Sequence, residues 1–363
     1  MKQTTRLFLY FAVFVISLSV QGISADAAPE PFLFGVNVDK LGALEDCPAC
    51  GDFIKQYSPL LRSPFYWGHI EREKGEYRLP PIYSGIRRVA KDNNTKLVAM
   101  LGYNNALYNA RCDEDKNTRG QQCIVGISDD QNLSAYKNYV SFLVKELGSE
   151  VAIWEIWNEE NEEAFWRPKP SVNDFVRLVE QTATLIKKID NKSFVISGGT
   201  ASVDFDYIEA IIKSGAYKKI DAIGIHVNMF EMNQVRIKEE GKRGAQDIAT
   251  VLNRLEKLRQ KHGVSFIITE FGFPLNARSY ASLEGYSPRE TRAIVGTDQK
   301  GFVDMFNILK QSEAIQGIII YNLQDTLNKE NKSGGIRGLF DHEGHKKRVM
   351  DFFPEPQTIR SRR

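Results

Sequence analysis

The chain has 363 residues, of which 42% are hydrophobic and 26% charged, and its 48 basic and 46 acidic side chains leave a formal net charge of +2. This composition is typical of a globular protein with a sizeable core, and the chain carries no repeat and no low-complexity tract. Because basic and acidic residues are interleaved, no basic surface for nucleic acid is expected.

The first segment of the chain has the pattern of an export signal. Basic residues precede an apolar stretch at 7–20 and an A-x-A site that ends at Ala27. This pattern predicts a signal peptide over 1–27 and a mature domain over 28–363, with an uncleaved anchor as the minor alternative. No stretch reaches the roughly 20 apolar residues of a membrane-spanning helix, so no integral membrane segment is expected after cleavage. We therefore expect a secreted or periplasmic protein, whose oligomeric state the sequence does not indicate.

Short apolar runs and helix-period segments alternate along the rest of the chain. The strand-like runs lie at 32–37, 59–62, 96–101, 151–157, 194–198, 220–226, 264–270 and 317–322. The clearest helical segments between them lie at 134–147, 172–189 and 245–262. This alternation predicts parallel βα units, and their number predicts an α/β fold, a (β/α)8 TIM barrel of one domain.

The four cysteines are Cys47, Cys50, Cys112 and Cys123. An even number in an exported chain favours two disulfides, with three possible connectivities. The first two form a C-x-x-C, which also occurs in zinc and redox sites, but the second pair lacks such close spacing and no histidine pair compensates. We therefore expect neither a metal site nor a cofactor. By the strand count, both pairs lie in loops after the first and third strands.

Two of the strand-like runs end on glutamates. The segment VAIWEIWNEEN at 151–161 places Glu159 after the fourth run, and VSFIITEFGFP at 264–274 places Glu270 at the end of the seventh. Either glutamate taken alone is more often a solvated acid. Carboxylates at the carboxyl ends of opposite barrel strands, however, face the loops where substrate collects. Glycoside hydrolysis needs such a pair, one to protonate the glycosidic oxygen and one to attack the sugar or activate water.

The segments WEIWNEEN and ITEFGFP together resemble the paired signatures of the clan A glycoside hydrolases, which are retaining enzymes on a TIM barrel. Within that clan the chain is most similar to families 39 and 5. The resemblance extends from FLFGVNVD at 32–39 through LLRSPFYWGHIEREKGEY at 60–77 to GIRGLFDHEGHKKRVMDFF at 335–353. It implies that Glu159 is the acid/base and Glu270 the nucleophile.

The same resemblance implies roles for residues around the reacting sugar. Asn158 would bind the sugar 2-hydroxyl, Arg62 would brace the nucleophile, His226 would lie beside both carboxylates, and Tyr321 would form an aromatic floor. The clan motif usually reads Asn-Glu-Pro, whereas Glu160 replaces the proline here. Asn228 stands where some relatives have a tyrosine that touches the nucleophile.

Several aromatic residues follow strand ends, where sugars stack on ring faces. Trp67 and Trp166 are the preferred candidates for sugar subsites, and Tyr103 is a further candidate for substrate binding. The alternative for each ring is packing in the core or in a loop.

The expected reaction is double displacement with retention of anomeric configuration, with the two carboxyl groups about 5–5.5 Å apart. The expected substrate is a poly- or oligosaccharide, including exopolysaccharide, cleaved internally at β-linkages. Transglycosylation by the same two glutamates is a related possibility. The alternative, motivated by Glu160 and Asn228, is a non-catalytic carbohydrate-binding protein on a degenerate TIM barrel.

Overall fold

Eight parallel strands form the barrel, and each begins within three residues of its expected start. The strands are β1 (Leu33–Asn37), β2 (Leu60–Tyr66), β3 (Leu97–Gly102), β4 (Val151–Ile156), β5 (Phe194–Ser197), β6 (Ile223–Glu231), β7 (Phe266–Gly272) and β8 (Ile315–Ile320). The computed structural model describes residues 32–38, 47–114, 123–231, 234–272, 288–325 and 338–361. The expected signal peptide and its boundary lie outside the described residues.

A helix follows each strand. The helices are α1 (Pro48–Tyr57), α2 (Ser84–Asp92), α3 (Asp130–Leu147), α4 (Val172–Ile189), α5 (Phe205–Ser214), α6 (Ile248–His262), α7 (Pro288–Gln311) and α8 (Pro356–Arg360). Helix α4 has the expected bounds. Helix α3 begins four residues earlier than expected, because the Asp129 side chain accepts a hydrogen bond from the Asn132 backbone N–H and caps the helix there.

The strands pair in sequence order around the barrel, and β8 returns to β1 through pairs such as Leu33 with Gly317. Between β5 and β6 the contact is reduced to isolated parallel bridges, Ile196 with Ala222 and Thr200 with Ile225. The expected (β/α)8 TIM barrel is therefore confirmed, with one looser seam. Residues 31–363 group as one compact unit.

An antiparallel hairpin follows β6. Its strands are Gln234–Glu239 and Lys242–Asp247, and the first of them also pairs with the short strand Val203–Asp204. The expected helix at 245–262 is therefore wrong in its first three residues, which pair with the opposite hairpin strand. Helix α6 begins after Asp247, whose side chain accepts a hydrogen bond from the Ala249 backbone N–H.

The barrel interior changes from apolar to polar along the strands. A small apolar layer consists of Val98, Ile153, Ile196, Ala222, Ile267 and Ile319. Alternate residues of a strand share a face, so Glu155 lies two positions beyond Ile153 on the inner face of β4. The polar end of the interior is thus the carboxyl end of the strands, where both Glu159 and Glu270 lie.

Two disulfides join Cys47 to Cys50 and Cys112 to Cys123. Disulfide formation was expected, and the structure selects one of the three connectivities that the sequence left open. The pairs follow β1 and β3 as expected, but their placement in loops is wrong for two of the four cysteines, because Cys50 lies in α1 and Cys112 in a short helix at Arg111–Glu114. Among the described residues, no helix is both long and apolar enough to cross a membrane.

Candidate active site

Glu159 and Glu270 meet at the carboxyl end of the barrel. Glu159 lies three residues beyond β4, and Glu270 lies in β7 near its end. One carboxylate oxygen of each and one ring nitrogen of His226 all lie within 4.8 Å of one another. Both glutamate side chains keep 15–19% of their surface exposed, although the residues around them are buried. The structure therefore places two accessible carboxyl groups around one small space.

His226 lies between the two glutamates on β6. Its Nδ1 atom is 3.1 Å from Glu159 Oε1 and 3.7 Å from Glu270 Oε2. Burial acts to lower the pKa of His226, but the charges of Glu270 and Glu159 outweigh it and raise the pKa above its ordinary value. The 3.1 Å distance fits a histidine in which Nδ1 carries a hydrogen and donates it to Glu159 Oε1.

Arg62 on β2 is the central donor of the site. Its guanidinium group donates to both oxygens of Glu155, at 2.6 and 3.1 Å, and to Glu270 Oε1 at 2.8 Å. It also donates to Asn37 Oδ1 at 3.0 Å and to Asn158 Oδ1 at 2.7 Å. Burial would lower the pKa of Arg62, but Glu155 and Glu270 raise it, so the group stays charged.

Glu155 was missed by the sequence reasoning. It is fully buried on β4 and forms a two-pronged ion pair with Arg62 across the barrel interior. The available signal was an acidic residue on the inward face of an otherwise apolar strand, which requires a buried partner. Asn37 was also missed, because an amide at a strand end has no comparable signal.

Asn158 connects the Arg62 network to Tyr103. Its Oδ1 accepts from Arg62, and its Nδ2 donates to the Tyr103 hydroxyl at 3.2 Å. Tyr103 is 4% exposed, and its ring stacks near Tyr66 with centroids 5.9 Å apart. Burial raises the pKa of Tyr103 well above its ordinary value, so the phenol stays neutral. The structure thus places Tyr103 beside the site as a support for Asn158.

The two tryptophans chosen as sugar subsites are buried, which corrects that interpretation. Trp67 is 0% exposed, and its Nε1 donates to Glu71 Oε2 at 2.6 Å. Trp166 is 2% exposed and packs 5.0 Å from the Trp157 ring. Neither presents a ring face to a sugar, because large aromatic surfaces after a strand end gain more from packing under the loops than from exposure.

Tyr321 follows β8 directly and is partly exposed. Its backbone N–H donates to the Phe271 carbonyl at 2.8 Å, and this bond joins the ends of β7 and β8. The side chain therefore starts from the same rim of the barrel as Glu270. Asn228 also lies on this rim, in β6, opposite Gly272 of β7.

The backbone around Glu159 has an unusual conformation. Trp157 and Glu159 have φ angles of 73° and 51°, in the left-handed region that non-glycine residues seldom adopt. The Glu159 backbone N–H donates to the Gly199 carbonyl at 2.9 Å. The loop after β4 is therefore held by the end of β5, and this contact directs the Glu159 side chain towards His226.

Two glycines at the end of β5 allow this close approach. A Cβ atom on Gly199 would lie 2.3 Å from Thr269 Oγ1 and 2.4 Å from His226 Nε2. A Cβ atom on Gly198 would lie 2.6 Å from Glu160 Oε2. All three distances are shorter than real Cβ contacts, so these positions require glycine.

The charge of Arg62 makes the trio of Glu159, Glu270 and His226 a poor site for a metal ion. Glu159, Glu270 and His226 are close enough to share one, but Arg62 already donates to Glu270 and would repel a second cation. The trio therefore suits proton transfer better than metal ligation. A second trio, Asp341, Glu343 and His345, is exposed, and Asp341 Oδ1 already accepts two backbone N–H groups of its own loop.

These observations define the class of site: a (β/α)8 barrel with two accessible glutamates at the ends of β4 and β7, braced by a buried arginine. Solved structures with a similar fold include glycoside hydrolases. A family 39 enzyme from Bacteroides cellulosilyticus is 20% identical, with a TM-score of 0.64 over 91% of this chain and 63% of that one. A monomeric β-xylosidase from Caulobacter crescentus is 16% identical, with a TM-score of 0.61 over 88% and 66%.

A psychrophilic family 10 endo-β-1,4-xylanase is also similar, with 14% identity and a TM-score of 0.57 over 88% of this chain and 96% of that one. The chain spans slightly less than two thirds of the length of the Bacteroides enzyme and of the Caulobacter β-xylosidase. No protein-family model and no curated protein matches it. At these identities the similarity establishes the fold, which is the one that the clan A resemblance implied.

Proposed function

We propose that this protein is a retaining β-glycosidase that hydrolyses a poly- or oligosaccharide by double displacement. The observation that carries the proposal is the approach of Glu159 and Glu270, whose oxygens come within 4.8 Å of each other at the barrel rim. Retaining enzymes hold their carboxyl groups about 5–5.5 Å apart, whereas inverting enzymes need roughly 6.5 Å or more to admit a water molecule.

In the first step, Glu270 attacks the anomeric carbon while Glu159 gives its proton to the departing oxygen. Arg62 donates to Glu270 Oε1, which leaves Oε2 as the attacking atom. The His226 Nδ1–H donates to Glu159 Oε1, so the acidic proton belongs on Oε2. Asn158, which is held by Arg62 and Tyr103, would bind the sugar 2-hydroxyl.

In the second step, Glu159 removes a proton from water, which attacks the glycosyl–enzyme bond and releases Glu270. His226 faces both carboxylates and compensates whichever one is charged. A sugar hydroxyl in place of water would give transglycosylation.

We propose an exported chain with a signal peptide at 1–27 and a catalytic domain at 28–363, active in a secreted or periplasmic setting. The two disulfides are compatible with such an oxidising compartment. The proposed substrate is a β-linked polysaccharide, including exopolysaccharide, cleaved internally.

The test measures release of reducing ends from β-linked polysaccharides and release of phenol from aryl β-glycosides. Glu159→Gln and Glu270→Gln should each lose activity, by about 10²–10⁴-fold for the acid/base. Glu163→Gln is the matched control, because Glu163 is an exposed glutamate of the same loop. Activity that survives both substitutions would mean that other groups carry the reaction.

Azide separates the two roles. Azide added to Glu270→Ala should restore turnover of an aryl β-glycoside and give the α-glycosyl azide, whereas Glu159→Ala should give the β-glycosyl azide. An initial product of inverted configuration from the wild type would refute the nucleophile assignment. A wild type that binds oligosaccharides without turnover would favour the carbohydrate-binding alternative.

A further inference from the structure

Glu160, the residue that follows Glu159, points away from the substrate space into the protein. It is 0% exposed, and neither carboxyl oxygen has a hydrogen-bond partner among the described residues. Its Oε2 packs against Gly198, where a Cβ atom would come within 2.6 Å. A buried carboxyl group without a partner is costly when charged, because it loses its hydration without compensation.

The groups that face Glu160 also disfavour a charge. Burial raises the pKa of Glu160 well above its ordinary value; the backbone N–H of Glu160 itself offsets this only in part, and the acidic groups Asp204, Glu155 and Glu159 raise the pKa further. The nearby cation, Lys238 of the hairpin, is directed to Asp204 Oδ2 and to the Asn161 carbonyl. The Tyr207 hydroxyl on α5 donates to the backbone carbonyl of Glu160.

We propose that Glu160 is a positioning residue whose uncharged carboxyl group packs against Gly198 and thereby holds Glu159 opposite Glu270. The expected effect of Glu160 on turnover rests on the proposed function. Its expected effect on folding stability does not. Glu159 and Glu160 are adjacent on one strained loop, so their side chains are placed together. Ionised Glu160 would leave its buried position for water and would displace the Glu159 backbone with it.

Activity then requires two protons on this loop, one on Glu159 and one on Glu160. At pH values above the pKa of both groups, log kcat/KM of the wild type should fall with a slope approaching −2, whereas the slope in Glu160→Gln should stay at −1. The ratio of variant to wild-type activity should therefore rise about tenfold per pH unit there. Equal slopes, or a loss in Glu160→Gln that is the same at every pH, would overturn the proposal.

A second measurement needs no turnover and so separates this proposal from the proposed function. In the folded protein Glu160 retains its proton above about pH 4.3, where the unfolded chain releases it. The folded state thus binds more protons, and its stability falls as pH rises towards the folded-state pKa.

Urea unfolding of the wild type, Glu160→Gln and the exposed control Glu163→Gln from pH 4 to 9 measures this difference. The unfolding constant of the wild type should rise relative to Glu160→Gln by about tenfold per pH unit above pH 4.3. Glu163→Gln should follow the wild type. If Glu160→Gln does not fold, Glu160→Met, which is similar in length and apolar, takes its place. Parallel curves for wild type and variant would overturn the proposal even in an active enzyme.

Discussion

Arg62 shows how one residue can organise the site. Its planar guanidinium group has five N–H bonds in a fixed fork, and the structure provides five acceptor contacts, on Asn37, Glu155, Asn158 and Glu270. A lysine has the charge but not the fork, so it cannot reach strands on both sides of the barrel at once. The orientation of Glu270 and that of Asn158 therefore depend on the same side chain.

Arg62→Lys should lower kcat/KM by about 100-fold or more, because small displacements of reacting groups have effects of this size. Arg62→Met should in addition lower the free energy of unfolding by about 3–5 kcal/mol, since it leaves Glu155 buried without its partner. Arg87→Lys is the control, because Arg87 pairs with Glu150 on the surface before β4. Wild-type kinetics in Arg62→Lys would contradict the bracing role.

At the scale of the element, the end of β5 positions two other parts of the site. The Gly199 carbonyl accepts the Glu159 backbone N–H, and the Thr200 carbonyl accepts the His226 backbone N–H. The same short segment thus fixes the loop after β4 and the middle of β6. It also lies at the seam where β5 and β6 are joined by isolated bridges, so the hydrogen bond from His226 to Thr200 contributes to barrel closure as well as to the site.

Gly199→Ala should impair both functions of this segment. The added methyl group would overlap Thr269 and the His226 ring, so we expect lower stability and a fall in kcat that exceeds any change in KM. Gly51→Ala is the control, because nothing lies within 4 Å of its Cβ position and alanine favours helix α1. Steady-state kinetics and urea unfolding measure the two effects, and an active Gly199→Ala would refute the close packing.

At the scale of the whole molecule, loops on the active face are braced covalently. The two disulfides span 3 and 11 residues of sequence. Because a cross-link stabilises mainly by restricting the unfolded chain, the longer loop should contribute more, at about 3 against about 2 kcal/mol. The bond from Cys112 also holds Cys123, whose backbone carbonyl accepts the Asn104 backbone N–H beside Tyr103.

Replacing Cys112 and Cys123 together by serine should therefore lower the free energy of unfolding more than the matched change at Cys47 and Cys50. Urea unfolding of the two double variants, with the wild type as reference, gives the comparison. The order of the two losses is the prediction, and a larger loss at Cys47 and Cys50 would contradict it.

The eight strands were predictable because each is a local pattern of apolar residues bounded by turns. The hairpin after β6 was not, since Gln234–Glu239 and Lys242–Asp247 are rich in charged and polar residues and become strands by pairing with each other. In the site, Glu159 and Glu270 were found through their place at strand ends. Trp67 was misassigned because sequence does not reveal whether a ring after a strand faces solvent or Glu71.

The sequence alone predicted the barrel, the positions of the two glutamates and the place of the cysteine pairs after the first and third strands, because periodicity, strand-end position and spacing are local properties of the chain. Only the tertiary structure decided the pairing of Arg62 with Glu155, the burial of Trp67 and Trp166, and the isolation of Glu160. These features depend on residues far apart in sequence that meet across the barrel. Burial and charge pairing at such meeting points are set by the closed sheet as a whole.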